Sequence, residues 1–386
     1  MPEAHAANGS ASATVWLLAR TLHAPSAGGH TWAYLNWALG LRALGCRVVW
    51  LEVAPPRWPA ARLAAALRSL RARLDRYGLA EAVALAPAGS GALPPEATAG
   101  CVDLEQAAAA DLLFDMAYGP APVVARFRRS ALLDIDPGLC QLWVSRGDFE
   151  LPPHDVYFSI GEGVGRPGTG IPDLGLRWEH LPPCVALDWW PADRAAEDAP
   201  FTTVSNWIMP DYWVHDEDGG YANDKRSGFL PFLDLPRHTS QRLELALELG
   251  SAGEEREALE KRGWRTREAR EVASTPWDYQ RYVQASRGEF GCAKPSYVRL
   301  QSAWISDRTV CYLASGKPAV VQDTGPSRLL PDAAGLFRFA TPAQAAKHLE
   351  TVATDYERQC ALARALAEEQ FDARKLAARL LERTLD

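Results

Sequence analysis

A strand, a glycine-containing loop, a helix and a second strand follow one another at the start of this chain, and this order constrains its fold more than any other feature. Residues 14–19 are apolar and predict the first strand, and residues 20–29 form the loop. Apolar side chains then recur at helical spacing over 30–45 until a glycine ends the helix, and 46–51 predicts the second strand. Such a unit requires a parallel sheet with right-handed crossovers.

The length of the chain and the repetition of this pattern predict two domains. The 386 residues exceed what one compact core usually holds. Further strand patterns occur at 111–115, 131–136 and 154–160, and a second α/β set begins at residue 201, after a proline-containing connection at 181–199. We therefore predict an α/β fold built from two Rossmann-like domains.

Composition excludes several classes of protein. The net charge of −7 does not suit bulk binding of nucleic acid, which normally requires a basic surface. The seven cysteines are scattered and form no CxxC pair, so reduced thiols are expected rather than disulfides or a zinc site. The start of the chain lacks the features of a signal peptide, and no apolar stretch is long enough to span a membrane. These observations predict a cytoplasmic protein.

The strongest chemical signal lies between residues 286 and 325. It predicts two loops at the carboxyl edge of a parallel sheet, where ligands bind in open α/β folds. A helix that begins at Ser306 or Asp307 would present free N–H groups and a positive dipole end to a phosphate. The basic residues that would neutralise a diphosphate are Arg287, Lys294 and Arg308. Glu289 or Asp307 could accept hydrogen bonds from ribose or sugar hydroxyls.

This segment carries a resemblance to a known family. The sequence A-S-G-K-P-A-V-V at 314–321 and the sequence E-F-G at 289–291 resemble the donor-binding half of the type-B glycosyltransferases, and the run closes with Thr324 and Gly325. Gly28 and Gly29, after the first strand, are similar to the first domain of that family.

The resemblance implies the GT-B fold, in which two Rossmann-like domains face each other. It places an acceptor-side domain at 14–190 and a nucleotide-sugar-binding domain at 200–360, and a C-terminal helix at 361–386 would pack back on the first domain. The implied activity is transfer of a sugar from a nucleoside diphosphate to an unidentified acceptor, with no cofactor besides the nucleotide-sugar co-substrate. A nucleotide-sugar epimerase and a non-catalytic, glycosyltransferase-like binding subunit are the alternatives.

One position departs from the family pattern. Many retaining members have a glutamate where this chain has Cys311, and that glutamate holds the ribose of the nucleotide. The nearest upstream carboxylate is Asp307. Either Asp307 or Glu289 takes over this role, or the donor binds in a different pose.

The loop after the first strand supplies a second group of candidates. Gly28 and Gly29 would let the backbone approach a diphosphate or a sugar closely. His30 could act as a general base on an acceptor hydroxyl, or it could cap the helix. His23 has the same two interpretations, as a base or as a solvent-exposed side chain.

Asp134 and Asp136 follow a predicted strand and form a third group. Two carboxylates two residues apart on a strand face the same side, where they could bind acceptor hydroxyls or act as a base. Alternatively they belong to an ordinary Asp-Pro-Gly turn. No further metal ligands cluster near them in sequence, so we expect metal-independent transfer. Lys225, which ends a polar segment at 211–225 interpreted as a mobile loop, is a further candidate phosphate ligand.

Overall fold

The computed structural model describes residues 13–89, 91–209, 213–216, 219–249 and 253–385. The first domain contains a parallel sheet in the order β3-β2-β1-β4-β5-β6-β7. Its strands are β1 Thr14–Ala19, β2 Arg47–Val53, β3 Val83–Ala86, β4 Leu112–Asp115, β5 Ser130–Asp134, β6 Val156–Ser159 and β7 Trp178–His180. The central strand β1 is buried on both faces, which explains why its sequence is a continuous apolar run.

The second domain contains a parallel sheet in the order β12-β11-β8-β13-β14-β15 and an antiparallel hairpin, β9-β10. The strands are β8 Phe201–Asn206, β9 Trp213–Asp216, β10 Gly219–Ala222, β11 Leu243–Glu248, β12 Arg265–Glu268, β13 Gly288–Gly291, β14 Ala319–Gln322 and β15 Leu336–Phe339. Both sheets confirm the prediction of two Rossmann-like α/β domains. The hairpin lies within the segment 211–225 that was predicted to be a mobile loop, and residues 210–212 and 217–218 are outside the described residues.

Helices cover both faces of each sheet. They are α1 Gly28–Ala43, α2 Ala60–Asp75, α3 Pro95–Thr98, α4 Ala121–Val124, α5 Leu139–Arg146, α6 Lys225–Phe229, α7 Gly253–Glu260, α8 Ala269–Ala273, α9 Pro276–Ala285, α10 Pro295–Arg299, α11 Asp307–Ala314, α12 Pro342–Thr354, α13 Tyr356–Gln370 and α14 Ala373–Leu385. Short 3₁₀ turns occupy Ala80–Ala82, Leu104–Ala109, Leu230–Phe232 and Leu235–Arg237.

Helix α1 joins the two domains. It packs against α9 and α11 of the second domain and against α14, and one apolar core runs through all four helices. The indole nitrogen of Trp32 donates to the Pro276 carbonyl at 2.7 Å. A Cβ on Gly40 would lie 2.6 Å from the carbonyl oxygen of Ala373, so only glycine lets α14 approach this closely.

The C-terminal segment forms two helices rather than the single one predicted at 361–386. Helix α13 packs on α11 of the second domain, whereas α14 packs on α1. The chain crosses between the domains at Phe371 and Asp372, where Val185 donates its N–H to the Phe371 carbonyl at 2.8 Å. The predicted return to the first domain is therefore present, but it begins later in the chain than expected.

Candidate functional site

A cleft of ≈ 720 Å³ lies between the carboxyl edges of the two sheets. The loop after β1 and the first turn of α1, residues 23–30, form its first-domain wall. The second-domain wall consists of the end of β8, Glu248 at the end of β11, part of α8 and the first turn of α11. This is the edge at which parallel α/β sheets bind ligands.

The first turn of α11 faces this cleft. Ser306 caps the helix, because its hydroxyl accepts from the Arg308 N–H at 3.2 Å. Asp307 follows at the first helical position, and burial raises the pKa of its carboxyl, against the opposing effects of Arg308 and His30. The unpaired N–H groups and the dipole of an eight-residue helix make this end favourable for an anion.

Arg308 is held in place from the second sheet. Its Nε donates to Glu289 Oε1 at 2.6 Å and its Nη1 donates to the Val204 carbonyl at 3.0 Å. Burial disfavours the charged form, but the neighbouring Glu289 carboxylate outweighs it and raises the pKa of Arg308 above its ordinary value. The side chain is 13% exposed, and it reaches the cleft as a permanent cation.

Glu289 does not line the cleft. It is fully buried behind Arg308, so the prediction that it accepts directly from ribose or sugar hydroxyls is wrong. Its carboxylate instead positions the guanidinium.

Two lysines lie near Arg308. Lys225 Nζ donates to the Cys292 carbonyl at 2.7 Å and lies 5.6 Å from the centre of the Trp304 ring. Burial, together with the charges of Arg308 and Lys294, lowers the pKa of Lys225 to about 7. Burial also lowers the pKa of Lys294, although Asp136 and Asp224 oppose this effect. Three cations from α6, α11 and the loop after β13 therefore lie together.

Arg287 lies at the opposite edge of the second sheet. It precedes β13, so it stands at the amino end of the strand, and its backbone N–H donates to Pro200 at 2.9 Å. Its Nη1 donates to the Glu197 carbonyl at 3.1 Å, and its guanidinium stacks 4.0 Å above the Tyr356 ring. The prediction that Arg287 neutralises a diphosphate in the cleft is wrong.

Thr324 and Gly325 pack against the segment that leads into α11. The buried Thr324 hydroxyl donates to the Trp304 carbonyl at 2.6 Å, and the Thr324 carbonyl accepts from the Ala303 N–H at 2.8 Å. Gly325 has a φ of 125° and packs against the Gln301 carbonyl, which a Cβ would meet at 2.7 Å. Both residues shape the segment that leads into α11, and neither lines the cleft as predicted.

The two carboxylates after β5 occupy different environments. Asp134 is fully buried and accepts from three side chains: Tyr118 Oη at 2.7 Å, Gln141 Nε2 at 2.9 Å and Ser159 Oγ at 2.8 Å. Burial raises the pKa of Asp134, and these donors oppose the rise. With its acceptor sites filled, Asp134 cannot serve as the predicted catalytic base.

Asp136 lies beyond the end of β5 and remains a candidate catalytic base. β5 stops at Asp134 and the chain turns, so the two carboxylates do not share a strand face. Asp136 is half-buried, and one of its oxygens accepts from the Tyr297 hydroxyl of the second domain at 3.0 Å.

The glycines at the start of α1 serve interdomain packing. A Cβ on Gly28 would lie 2.0 Å from the Thr275 carbonyl oxygen, and one on Gly29 would lie 2.8 Å from the Tyr279 ring. They line the cleft, but the close approach that requires glycine is to the second domain.

The histidines of the same wall also line the cleft. One ring nitrogen of His30 lies 3.1 Å from the Arg20 carbonyl oxygen, and the helix has no side-chain cap, so His30 is not the cap that the alternative interpretation required. Burial lowers the pKa of His23, with Arg20 and His30 contributing in the same direction.

Sequence reasoning missed two carboxylates that shape the walls. Glu52, the next-to-last residue of β2, is fully buried and accepts from the Thr21 N–H at 2.9 Å and the Leu22 N–H at 3.3 Å, which fixes the loop after β1. Glu162 follows β6 and accepts across the domain boundary from the Arg328 N–H at 3.0 Å. The only available signal was an acidic residue next to an apolar strand.

Known proteins resemble this chain in fold but not in sequence. No protein-family model matches the chain, and no curated protein matches it. An alpha-glucosyltransferase in complex with UDP and a 13-mer DNA superposes with a TM-score of 0.59 at 11% identity, covering 97% of this chain and 99% of that one. Anabaena Alr3699/HepE in complex with UDP-glucose gives 0.58 at 12% identity, over 96% and 98%. Sucrose-phosphate synthase from Thermosynechococcus elongatus gives 0.54 at 12% identity, over 96% and 98%.

The chain has the GT-B fold.

Cys311 lies outside the cleft. This residue is fully buried on α11 and faces α1, where Asn36 Nδ2 approaches its sulfur at 3.8 Å. The other end of the Asn36 amide accepts from the Ala186 N–H at 3.1 Å. A glutamate at position 311 would therefore be buried against the first domain.

Neither a candidate metal site nor a candidate membrane-spanning helix is present among the described residues. No group of three or more His, Cys, Asp or Glu side chains there is arranged to hold a metal ion. No helix in the described part of this GT-B chain is both long and apolar enough to cross a membrane.

Proposed function

We propose that this protein is a glycosyltransferase that moves a sugar from a nucleoside-diphosphate donor to an acceptor nucleophile. The observation that carries the proposal is Arg308, which Glu289 and Val204 hold in the first turn of α11 so that a permanent cation and free N–H groups meet at the interdomain cleft. A diphosphate is the anion that suits both features.

In the proposed reaction the donor's glycosidic bond to the diphosphate breaks, and negative charge develops on the leaving phosphate oxygen. Arg308 and the N–H groups of α11 would stabilise that charge without reorganising, which is the main source of catalysis in such sites. Lys225 and Lys294 lie near Arg308 and add positive potential. We propose that these cations make transfer independent of a metal ion, and that the transferred sugar is a hexose.

The first domain would hold the acceptor opposite the donor. His30 and Asp136 are the proposed bases for deprotonating an acceptor hydroxyl, because both lie at the edge of the first domain that faces the second. The solved GT-B structures named above contain UDP or UDP-glucose, so uracil is the first base to test. We propose a cytoplasmic location.

The test is a thermal-shift panel with UDP, GDP, dTDP, ADP and NAD. One nucleoside diphosphate should raise the melting temperature, because a ligand that binds only the folded state stabilises it by mass action. Arg308→Ala should abolish the shift. Arg287→Ala is the matched control, since it removes an arginine from the opposite edge of the second sheet and should keep the shift.

Arg308→Ala leaves the buried Glu289 carboxylate unpaired, so this variant could lose binding because it is unfolded. A second variant tests the same site without this complication. Lys225→Met removes a neighbouring cation at similar volume without stranding a carboxylate. It should weaken binding while the protein stays folded. If no nucleotide binds the wild type, or if both variants bind as well as the wild type, the donor site is misassigned.

The buried Cys311 favours one other function, a GT-B subunit that binds without catalysis. A nucleotide that binds tightly but is not consumed across a broad acceptor screen would support that function. Conversion of the donor sugar in the absence of any acceptor would instead support a nucleotide-sugar epimerase.

A further inference from the structure

The proposed function leaves the ribose of the donor without a partner. The position at which many type-B glycosyltransferases carry a ribose-binding glutamate is Cys311, which is fully buried against Asn36 of α1. Glu289 is fully buried and pairs with Arg308. Neither side chain reaches the cleft.

Two carboxylates line the described part of the cleft, Asp307 and Glu248. Asp307 begins α11 and interacts electrostatically with His30 of the first domain, so it lies on the side where the sugar and acceptor would meet. Glu248 lies on the other side, as the last residue of β11. Its side chain is 42% exposed, and Arg270 of α8 donates to it through Nε at 3.1 Å.

Glu248 lies on the strand next to the one that Arg308 contacts. Arg308 contacts the carbonyl of Val204 on β8, and β11 is the neighbouring strand, with Glu248 in register with Asn206. Adjacent strands lie about 4.8 Å apart, so a nucleotide with its phosphates at Arg308 needs to extend across one strand to reach Glu248. A carboxylate at the end of the strand next to the first one is also where doubly wound folds bind ribose hydroxyls.

We propose that Glu248 accepts hydrogen bonds from the ribose 2′- and 3′-hydroxyls of the donor, and that Arg270 orients its carboxylate. This inference rests on the proposed function, since it assumes a nucleotide in the cleft. Glu248 thus provides the ribose-binding carboxylate that Cys311 cannot provide. A hydrogen bond to a charged acceptor contributes enough that its loss weakens binding about tenfold or more.

The test measures dissociation constants by calorimetry for UDP, GDP and ADP and for their 2′-deoxy forms. The wild type should prefer the ribonucleotide by about tenfold. Glu248→Gln should bind the two forms almost equally, because the neutral amide accepts more weakly. Glu257→Gln is the control: it removes a carboxylate from an exposed ion pair with Lys261 on α7 and should keep the full preference.

The outcomes separate this inference from the proposed function. If the wild type binds a nucleoside diphosphate through Arg308 but does not distinguish ribose from deoxyribose, the inference fails and the donor site stands. If Glu248→Gln keeps the preference for ribose, or changes the preference among bases instead, Glu248 is not the ribose ligand. If no nucleotide binds the wild type, both proposals fail.

Discussion

At the carboxyl edge of the first sheet, Glu52, Asp115 and Asp134 are fully buried carboxylates in the last or next-to-last position of their strands. Each accepts hydrogen bonds from nearby loops; Asp115, for example, accepts from the N–H groups of Ala117 at 2.8 Å and Gly119 at 2.7 Å. At the facing edge of the second sheet Arg308, which Glu289 positions, reaches the cleft. The acids hold their own loops in place, whereas the cation has donors left for a ligand.

A charged residue at the end of a strand therefore marks a binding site only when the surrounding loop leaves part of its hydrogen-bonding capacity unused. Two oxygens of a carboxylate accept about four hydrogen bonds, and Asp134 receives three from side chains alone. The Arg308 guanidinium has about five N–H donors. Glu289 accepts from the one on Nε and the Val204 carbonyl accepts from one on Nη1, so the others remain for a ligand.

The largest expected effect concerns Asp134. Asp134→Ala leaves the hydroxyls of Tyr118 and Ser159 and the Gln141 amide without their buried acceptor, so the free energy of unfolding should fall by about 3 kcal/mol or more. Urea denaturation measures this loss. A variant that unfolds like the wild type but no longer turns over the donor would show that Asp134 is a catalytic residue after all.

Asp136→Asn should change the reaction rate rather than the stability. Asp136 is half-buried and its replacement keeps an oxygen that accepts from Tyr297, so stability and donor binding should change little. If Asp136 is the base, the rate of nucleoside diphosphate release from the donor should fall about 100-fold. His30→Gln is the parallel variant, and whichever of the two lowers the rate identifies the base. Unchanged rates in both would exclude both residues.

The next effect is a pH dependence of donor binding. Burial, with Arg308 and Lys294, lowers the pKa of Lys225 to about 7, so the lysine loses its charge as the pH rises through neutrality. Affinity for the donor should therefore fall by up to about tenfold between about pH 6 and pH 8.5. The stability of the free protein has the opposite pH dependence. Because the folded state binds the Lys225 proton less tightly than the unfolded state, the contribution of Lys225 to the free energy of unfolding increases as the pH rises above 7.

Lys225→Met separates the contribution of this lysine from that of any other group that changes charge over the same pH range. Donor affinity measured by calorimetry should become nearly independent of pH in the variant. A dependence as steep as that of the wild type would show that another group is responsible. The donor sugar nucleotide is the better probe here, since a free terminal phosphate itself titrates near pH 6.

The smallest effect is expected at Arg287. Its contacts are a carbonyl and the face of Tyr356, so Arg287→Ala should cost about 1 kcal/mol of stability and leave donor affinity unchanged. Urea denaturation and calorimetry measure the two quantities on the same sample. Loss of donor binding in this variant would overturn the assignment of the cleft.

The fold was predictable because hydrophobic periodicity and glycine positions are local. β1, α1 and β2 could be recognised within 40 residues of sequence, and the start of α11 was found from its capping serine. Arg287 was misplaced because β13 is only four residues long, and the sequence does not reveal at which end of so short a strand a neighbouring residue lies.

The wrong role for Asp134 has a different cause. Its partners Tyr118, Gln141 and Ser159 come from three separate segments, so the filling of its acceptor sites depends on tertiary structure. The same holds for the cluster around Arg308, because Lys225 is distant in sequence from α11. The sequence identifies which residues carry a charge. Whether a charged residue has hydrogen-bonding capacity left for a ligand depends on the folded structure.

Helix α1 constrains how the protein can be recombined. Its Trp32 donates to Pro276, its Asn36 reaches Cys311, and Gly40 lies against Ala373. A chimera that joined the first half of this chain to the second half of another GT-B protein would leave a buried indole N–H and a buried amide without acceptors at the seam. Exchange of one half therefore requires either that loops be grafted around an intact α1, or that α1, α9, α11 and α14 be transplanted as one block.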